Sequence, residues 1–230
     1  MLDDVVDGMK MVSDAISQIQ KIVNAIETGR DYLKVKHPEV EEEVSLLLRE
    51  LSKNVSLIKQ ASAIITNFRF AASSEDEVNQ LTRFNDYYIK SKAEADDLRL
   101  HIEDLRSHCS QVRGYAFSIT DKTQVNGFSG IFELFGLSDK KKEEELGGYL
   151  DRLAYEDFEV ANSAEIMLGF VHKALSDIQS SLETDGLMTE ENISKAAKLL
   201  AQYSVTFEKM EECSILTLSS IRKTISELRI

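Results

Sequence analysis

Apolar side chains recur along most of this chain at alternating intervals of three and four residues. On a helix of 3.6 residues per turn this interval places them on one stripe, whereas a strand would need an interval of two. A helix with such a stripe becomes stable when the stripe is buried against another helix. The first segment shows the pattern most simply, with Arg30 as its one interruption: Val5, Met9, Val12, Ile16, Ile19, Val23, Ile26 and Leu33.

Breaks between the stripes predict the limits of the helices. The first helix should cover about 2–36, because Pro38 disfavours helical geometry in the residue before it. Further breaks fall at 71–76, 120–139 and 184–188. We therefore predict an all-α protein: an elongated antiparallel bundle of about five long helices with one irregular hydrophobic segment near 120–139. The other connections are short, which favours antiparallel neighbours and a single domain covering residues 1–230.

Polar residues interrupt several stripes at positions where an apolar residue is expected. Asn54 stands in the second stripe, Ser91 in the third, and Ser204 and Ser214 in the last. A buried Asn between packed helices can set their register at some cost in stability. Equally, Asn54 can occupy a partly hydrated position, and the pattern leaves both interpretations open. Ser204 and Ser214, together with Glu211 between them, predict a stutter or an exposed stretch in the last helix.

The charge balance limits the partners that such a chain can bind. Its formal net charge is −13, with 40 acidic against 27 basic residues. A phosphate backbone would be repelled, and no basic stripe interleaved with aromatic residues offsets the repulsion. We therefore expect no nucleic-acid partner. A protein partner or self-association is the expected alternative.

Cysteine content and hydropathy bear on the compartment. Cys109 and Cys213 both fall in helical segments, and their spacing matches no metal motif. The beginning MLDDVVDG is acidic where a secretory leader would be basic. The longest stretches without a charged residue have about ten residues, whereas a spanning helix needs about 20. These features predict a cytoplasmic protein with reduced thiols.

Motifs that carry enzyme chemistry do not occur in the sequence. We find no G-x-x-x-x-G-K-[ST], G-x-G-x-x-G, H-E-x-x-H or G-x-S-x-G pattern. Helical bundles can hold di-iron centres through Glu-x-x-His pairs, but no acidic residue stands three positions before any of the four histidines. The sequence therefore predicts no enzyme and no cofactor.

One group of ionisable residues is a candidate metal site. Glu94, Asp97, His101, Asp104 and His108 follow the three-four interval and share one face of the predicted third helix. Imidazole and carboxylate groups bind divalent metals, but ligands from one helix need a second helix to complete the shell. The more ordinary interpretation is a solvated face with ion pairs four residues apart.

A hydrophobic run lies within the irregular segment, at 127–137 (GFSGIFELFGL), and three lysines follow it. The run can fold back as a plug over the bundle, which is the usual fate of such residues. Alternatively it is an exposed tip that contacts a partner groove or a lipid interface. Its large apolar side chains are the candidate contact residues: Phe128, Ile131, Phe132, Leu134, Phe135 and Leu137.

Two functions from different classes follow. The first is a non-enzymatic interaction or scaffold protein that acts through helix faces and through the 127–137 segment. The second is a membrane-acting effector, pore-forming or cell-death-like, that uses the same segment as a tip. In general architecture the acidic helical chain resembles the bundle domains of cell-death executioners and their fungal HeLo relatives, a likeness of fold without a diagnostic motif. The negative charge and the short apolar stretches favour the first function over the second.

Overall fold

Helices make up nearly all of the protein that the computed structural model describes, namely residues 2–72, 77–125, 146–154, 160–182 and 190–228. This confirms the all-α class, and those residues contain no strand. Residues 146–154 are helical, and the other elements are α1 Leu2–Lys36, a 3-10 turn Pro38–Val40, α2 Glu41–Ala72, α3 Glu77–Leu100, α4 Ile102–Val125, α5 Val160–Leu182 and α6 Glu190–Leu228.

The break predicted at Pro38 is confirmed. The amide of His37 donates to the carbonyl of Leu33 at 2.9 Å, which closes the last turn of α1. Pro38 then opens a 3-10 turn, where its missing N–H costs nothing because the first helical amides have no partner within the helix. The first turn of α2 is acidic at 41–43, and this charge favours the positive helix N-terminus.

The predicted third helix is divided in two at His101, so the prediction of about five long helices is not confirmed. The amide of His101 donates to the carbonyl of Leu98 at 3.1 Å, three residues back. That bond is of the tighter 3-10 type and ends α3. Leu98 and Leu105 are nevertheless both buried, seven residues apart. The apolar stripe therefore keeps its three-four spacing across the break. This spacing alone does not predict the break.

The chain divides into two compact units, and the limits between them fall within α1, α2, α4, α5 and α6. Unit 1 contains residues 1–13, 56–103 and 162–215, and unit 2 contains residues 14–55, 104–161 and 216–230. The single domain covering residues 1–230 stays a prediction.

Unit 1 is held together by apolar residues of α2, α3, α5 and α6. The predicted stripes are buried wherever the structure describes their side chains: Ile58, Ala61 and Ile65 of α2, Tyr88, Ala95 and Leu98 of α3, Ala164, Met167, Val171 and Ala174 of α5, and Phe207 of α6. Of the polar positions in the last stripe, Ser204 and Ser214 are fully buried and Glu211 is half-buried. Each hydroxyl donates to a carbonyl of its own helix, which satisfies it without a partner from outside.

In unit 2, α1 and α6 run parallel. Three contacts advance together along both helices, from Gln20–Thr217 through Glu27–Lys223 to Arg30–Glu227. Arg30, the charged interruption of the first stripe, is thus placed beside a carboxylate of α6. Long basic side chains bury their aliphatic stems and keep the charged end at a polar partner, which explains how this position tolerates a charge.

α2 and α4 of unit 2 run antiparallel. Lys122 contacts Glu43, and Cys109 lies beside Asn54. The apolar side chains of this pair are buried: Val44, Leu47, Leu48, Leu51 and Val55 of α2, and Leu105, Val112, Ala116 and Ile119 of α4. Gly29 of α1 is also buried, and a Cβ there would lie 3.1 Å from Leu146. The glycine therefore allows residues 146–154 to approach α1 closely.

Within the described residues, no helix is long and apolar enough to cross a membrane.

Asn54 provides a test of how unit 2 tolerates a polar group in its core. Its side chain is fully buried, its Nδ2 donates to the Cys109 sulfur at 3.4 Å, and its Oδ1 has no hydrogen-bond partner within the described part of the chain. Since a buried, unsatisfied carbonyl destabilises the folded state, the isosteric change Asn54→Leu should leave the free energy of unfolding unchanged or raise it by up to about 2 kcal/mol. The control Leu51→Ala should lose about 2–5 kcal/mol.

Urea unfolding of both variants measures these changes, and sedimentation measures the association state. A loss above about 1 kcal/mol in Asn54→Leu would mean that the polar contact is stabilising. A change of association state in that variant would favour the register role.

Candidate functional site

Unit 1 contains a cleft of about 350 Å³ between α2 and α3. Both walls carry residues at the same relative positions, i, i+3, i+4 and i+7, which lie on one face of a helix. The lining residues are Gln60, Ala63, Ile64 and Asn67 from α2, Glu94, Asp97 and Leu98 from α3, and His101 at the break that follows α3. The three-four interval that buries the stripes therefore also aligns the two walls of this cleft.

The floor of the cleft is apolar and its rim is polar. Ile64 and Leu98 are buried, and Ala63 is half-buried. Glu94 and Asp97 are exposed at the rim of α3, and the amides of Gln60 and Asn67 are exposed at the rim of α2. Such a lining can bind an elongated group that has an apolar stem and a polar or positively charged end.

Glu94 already has a cation nearby. The Lys90 ammonium lies 3.7 Å from its Oε1, one helical turn away, and both side chains are substantially exposed. Exposed pairs of this kind contribute little because water screens them and the side chains lose rotational freedom. A cation from a partner can therefore displace Lys90 at small cost.

The structure separates the residues that the sequence grouped as a metal candidate. Asp97 and His101 line the cleft with Glu94 in unit 1, whereas Asp104 and His108 belong to unit 2. Across the described part of the chain, no three His, Cys, Asp or Glu side chains come together in a way that could hold a metal ion. The second helix expected to complete a shell is present as α2, but it supplies amide and apolar groups to the cleft.

His108 lies beside a carboxylate that the sequence analysis missed. Its Nδ1 lies 2.5 Å from Oε2 of Glu50 on α2, whose side chain is only 8% exposed. Among the described residues, neither atom is placed for a hydrogen bond of normal geometry, so the contact is one of close approach. Lys53 donates to the other Glu50 oxygen at 2.8 Å. Leu47, Glu50 and Asn54 are separated by three and four residues. This spacing in the sequence indicates that Glu50 lies on the buried face of α2.

Two polar contacts connect α5 to its neighbours in unit 1. His172 lies 3.7 Å from Asp96 of α3, and Tyr203 of α6 donates to Asp177 at 3.1 Å. Burial and the Asp177 carboxylate raise the pKa of Tyr203 to about 12. The phenol therefore remains protonated, and able to donate, throughout the ordinary pH range.

The hydrophobic run at 127–137 lies outside the described residues. Whether it forms a plug or a tip stays a prediction.

Comparison with known proteins gave no relative: no family model, no curated protein and no solved structure matches the chain.

The contact between Glu50 and His108 predicts energetic coupling across α2 and α4. Removing one member leaves the other partly buried with one polar contact fewer, so Glu50→Gln and His108→Gln should each destabilise unit 2, and the double variant should lose less than their sum. We expect a coupling energy of at least about 1 kcal/mol from chemical denaturation at neutral pH. The exposed pair, probed by Lys90→Gln and Glu94→Gln, should give less than about 0.5 kcal/mol. Equal coupling in the two cycles would contradict the role assigned to burial.

Proposed function

We propose that the protein is a non-enzymatic interaction protein of the cytoplasm, which binds a protein partner or a second copy of itself through helix faces. The observation that carries this proposal is a second apolar stripe on α3, formed by Ile89, Ala93 and Leu100. Ile89 is 58% exposed and Leu100 78% exposed. We call these three residues the outer stripe of α3.

The outer stripe lies on the side of α3 opposite its buried face. At about 100° per residue, Ile89, Ala93 and Leu100 share one face of the helix, and the exposed Asp96 also lies on it. This face lies about 120–160° around the helix from the buried Tyr88, Ala95 and Leu98. A helix on a protein surface usually carries polar residues on this side. Single exposed apolar residues are common, but several along one helix face are typical of a contact surface.

Charge favours a protein as the partner. The net charge of −13 disfavours nucleic acid, and Asp97 and Glu94 of the cleft lie on the same helix as the outer stripe. A partner that fits both features combines apolar and basic side chains, as amphipathic helices do.

A photo-crosslinking amino acid at position 100 tests the proposal in the cells that make the protein. We expect a discrete adduct with one protein or with a second copy, and we expect the same probe at the exposed Lys21 of α1 to give none. Adding Ile89→Lys to the probe-bearing chain should remove most of the adduct, because a charge in the stripe opposes burial.

An adduct that forms equally from positions 100 and 21, or that survives Ile89→Lys unchanged, would contradict a specific contact through the outer stripe. Far-UV circular dichroism of each variant controls for folding.

The membrane-acting alternative depends on the 127–137 segment alone. If that segment enters a lipid interface, the protein should release dye from anionic and neutral vesicles, and Phe132→Asp with Phe135→Asp should abolish release, since charges resist transfer into lipid. Phe117→Asp, on the exposed part of α4, is a matched control that should not affect release. Equal release, or none, from the wild type and the double variant would rule out this function.

A further inference from the structure

The cleft of unit 1 has an elongated apolar floor and a rim that carries two carboxylates. Ile64 and Leu98 form the floor, and Glu94 and Asp97 stand three residues apart on the same wall. Its volume of about 350 Å³ lies at the small end of ligand sites in proteins. It can hold one long side chain with a few waters, but it is too small for a whole peptide segment.

We propose that this cleft binds an arginine or lysine side chain that a protein partner presents, an inference that deepens the interaction function proposed above and rests on it. The aliphatic stem lies on Ile64, Ala63 and Leu98, and the charged end lies between Glu94 and Asp97.

The chemistry of the lining selects this ligand. Arginine and lysine bury their methylene groups on apolar surface while the charged end stays at a polar partner. Carboxylates accept charge-assisted hydrogen bonds from either cation, and a guanidinium can contact two carboxylates at once because its five donors are spread in a plane. The amides of Gln60 and Asn67 supply further carbonyl acceptors from the opposite wall.

The position of Lys90 supports the same assignment. Its ammonium lies 3.7 Å from Glu94 Oε1, so the protein itself places a basic side chain at this carboxylate. The distance is longer than a hydrogen bond, and the lysine is 63% exposed. A basic side chain that enters the cleft gains the apolar floor as well as the carboxylate, so it should replace Lys90 there.

A metal ion fits the cleft less well than an organic cation. In the part of the chain that the structure describes, no three His, Cys, Asp or Glu side chains form a group that could hold a metal. The apolar floor would add nothing to the binding of a bare ion, whereas it complements the stem of a basic side chain.

Fluorescence anisotropy with a labelled peptide of alternating arginine and alanine tests the proposal on the full chain. A second peptide carries citrulline, which has nearly the shape of arginine without its charge, in place of each arginine. We expect the arginine peptide to bind, and Glu94→Gln with Asp97→Asn to weaken it about tenfold or more through loss of two charge-assisted contacts. Asp151→Asn with Glu212→Gln removes the same two charges from exposed positions elsewhere and should change the affinity less than about twofold.

Three results would overturn the proposal. Equal weakening by the two double variants would mean that the peptide responds only to the overall negative charge. Equal binding of the citrulline peptide would mean that charge is not recognised. Competition by free spermine at concentrations that match the peptide would assign the cleft to free polyamines instead of a protein side chain.

The cleft and the outer stripe can fail independently. An adduct from position 100, together with peptide binding that ignores Glu94 and Asp97, would retain the interaction function and reject this use of the cleft.

Discussion

Burial of the apolar stripes is the interaction on which the rest of the structure depends. Side chains such as Leu51, Ile65, Val171 and Phe207 are almost completely removed from water. Each buried side chain of this size contributes about 1.5–3 kcal/mol relative to exposure. Conformational entropy opposes folding by a comparable total, so an isolated helix from this chain would be marginal in water. The helices are therefore stable because their stripes face one another within each unit.

Polar groups inserted into the stripes narrow the ways in which the helices can pack. Glu50 contacts His108 and Arg30 contacts Glu227, each across to another helix. A shift of either helix by one turn would leave these partly buried charges with only the partners on their own helices, Lys53 and Asp31, and the loss of a contact at such a charge is costly. Ser204 and Ser214 act differently, because they satisfy themselves within α6 and leave its neighbours unconstrained. Glu50 and Arg30 can therefore specify the register between neighbouring helices. Ser204 and Ser214 affect only the packing volume inside the core.

The sequence predicted the helical class and the faces correctly, because both depend on local spacing. The break at Pro38 followed from the stereochemistry of proline, and the buried positions of α2 and α5 followed from the three-four interval. The division at His101 could not be predicted, since the stripe stays in phase across it and neither glycine nor proline marks it. The burial of Glu50 had a signal in the spacing, but its partner did not, because pairing depends on which helix lies opposite.

The same limit applies to the cleft. Spacing placed Glu94, Asp97 and His101 on one face, and it also placed Asp104 and His108 there. Gln60 and Asn67 of α2 come to lie opposite Glu94, Asp97 and His101 only when the two helices pack. The resulting lining fits the organic cation that we propose better than a metal ion. Chemistry that arises between two helices is absent from the sequence of either one.

Apolar residues that recur every three or four positions should form the buried face of each helix. Cysteine scanning of α2 measures this burial residue by residue. With Cys109 and Cys213 replaced by alanine, single cysteines at successive positions from 47 to 60 are reacted with a water-soluble maleimide. We expect slow labelling at Leu51, Val55 and Ile58 and fast labelling at Lys53 and Gln60, so that protection recurs every three or four residues. Uniform labelling, or protection at every second residue, would show that the stripe is not the buried face of α2.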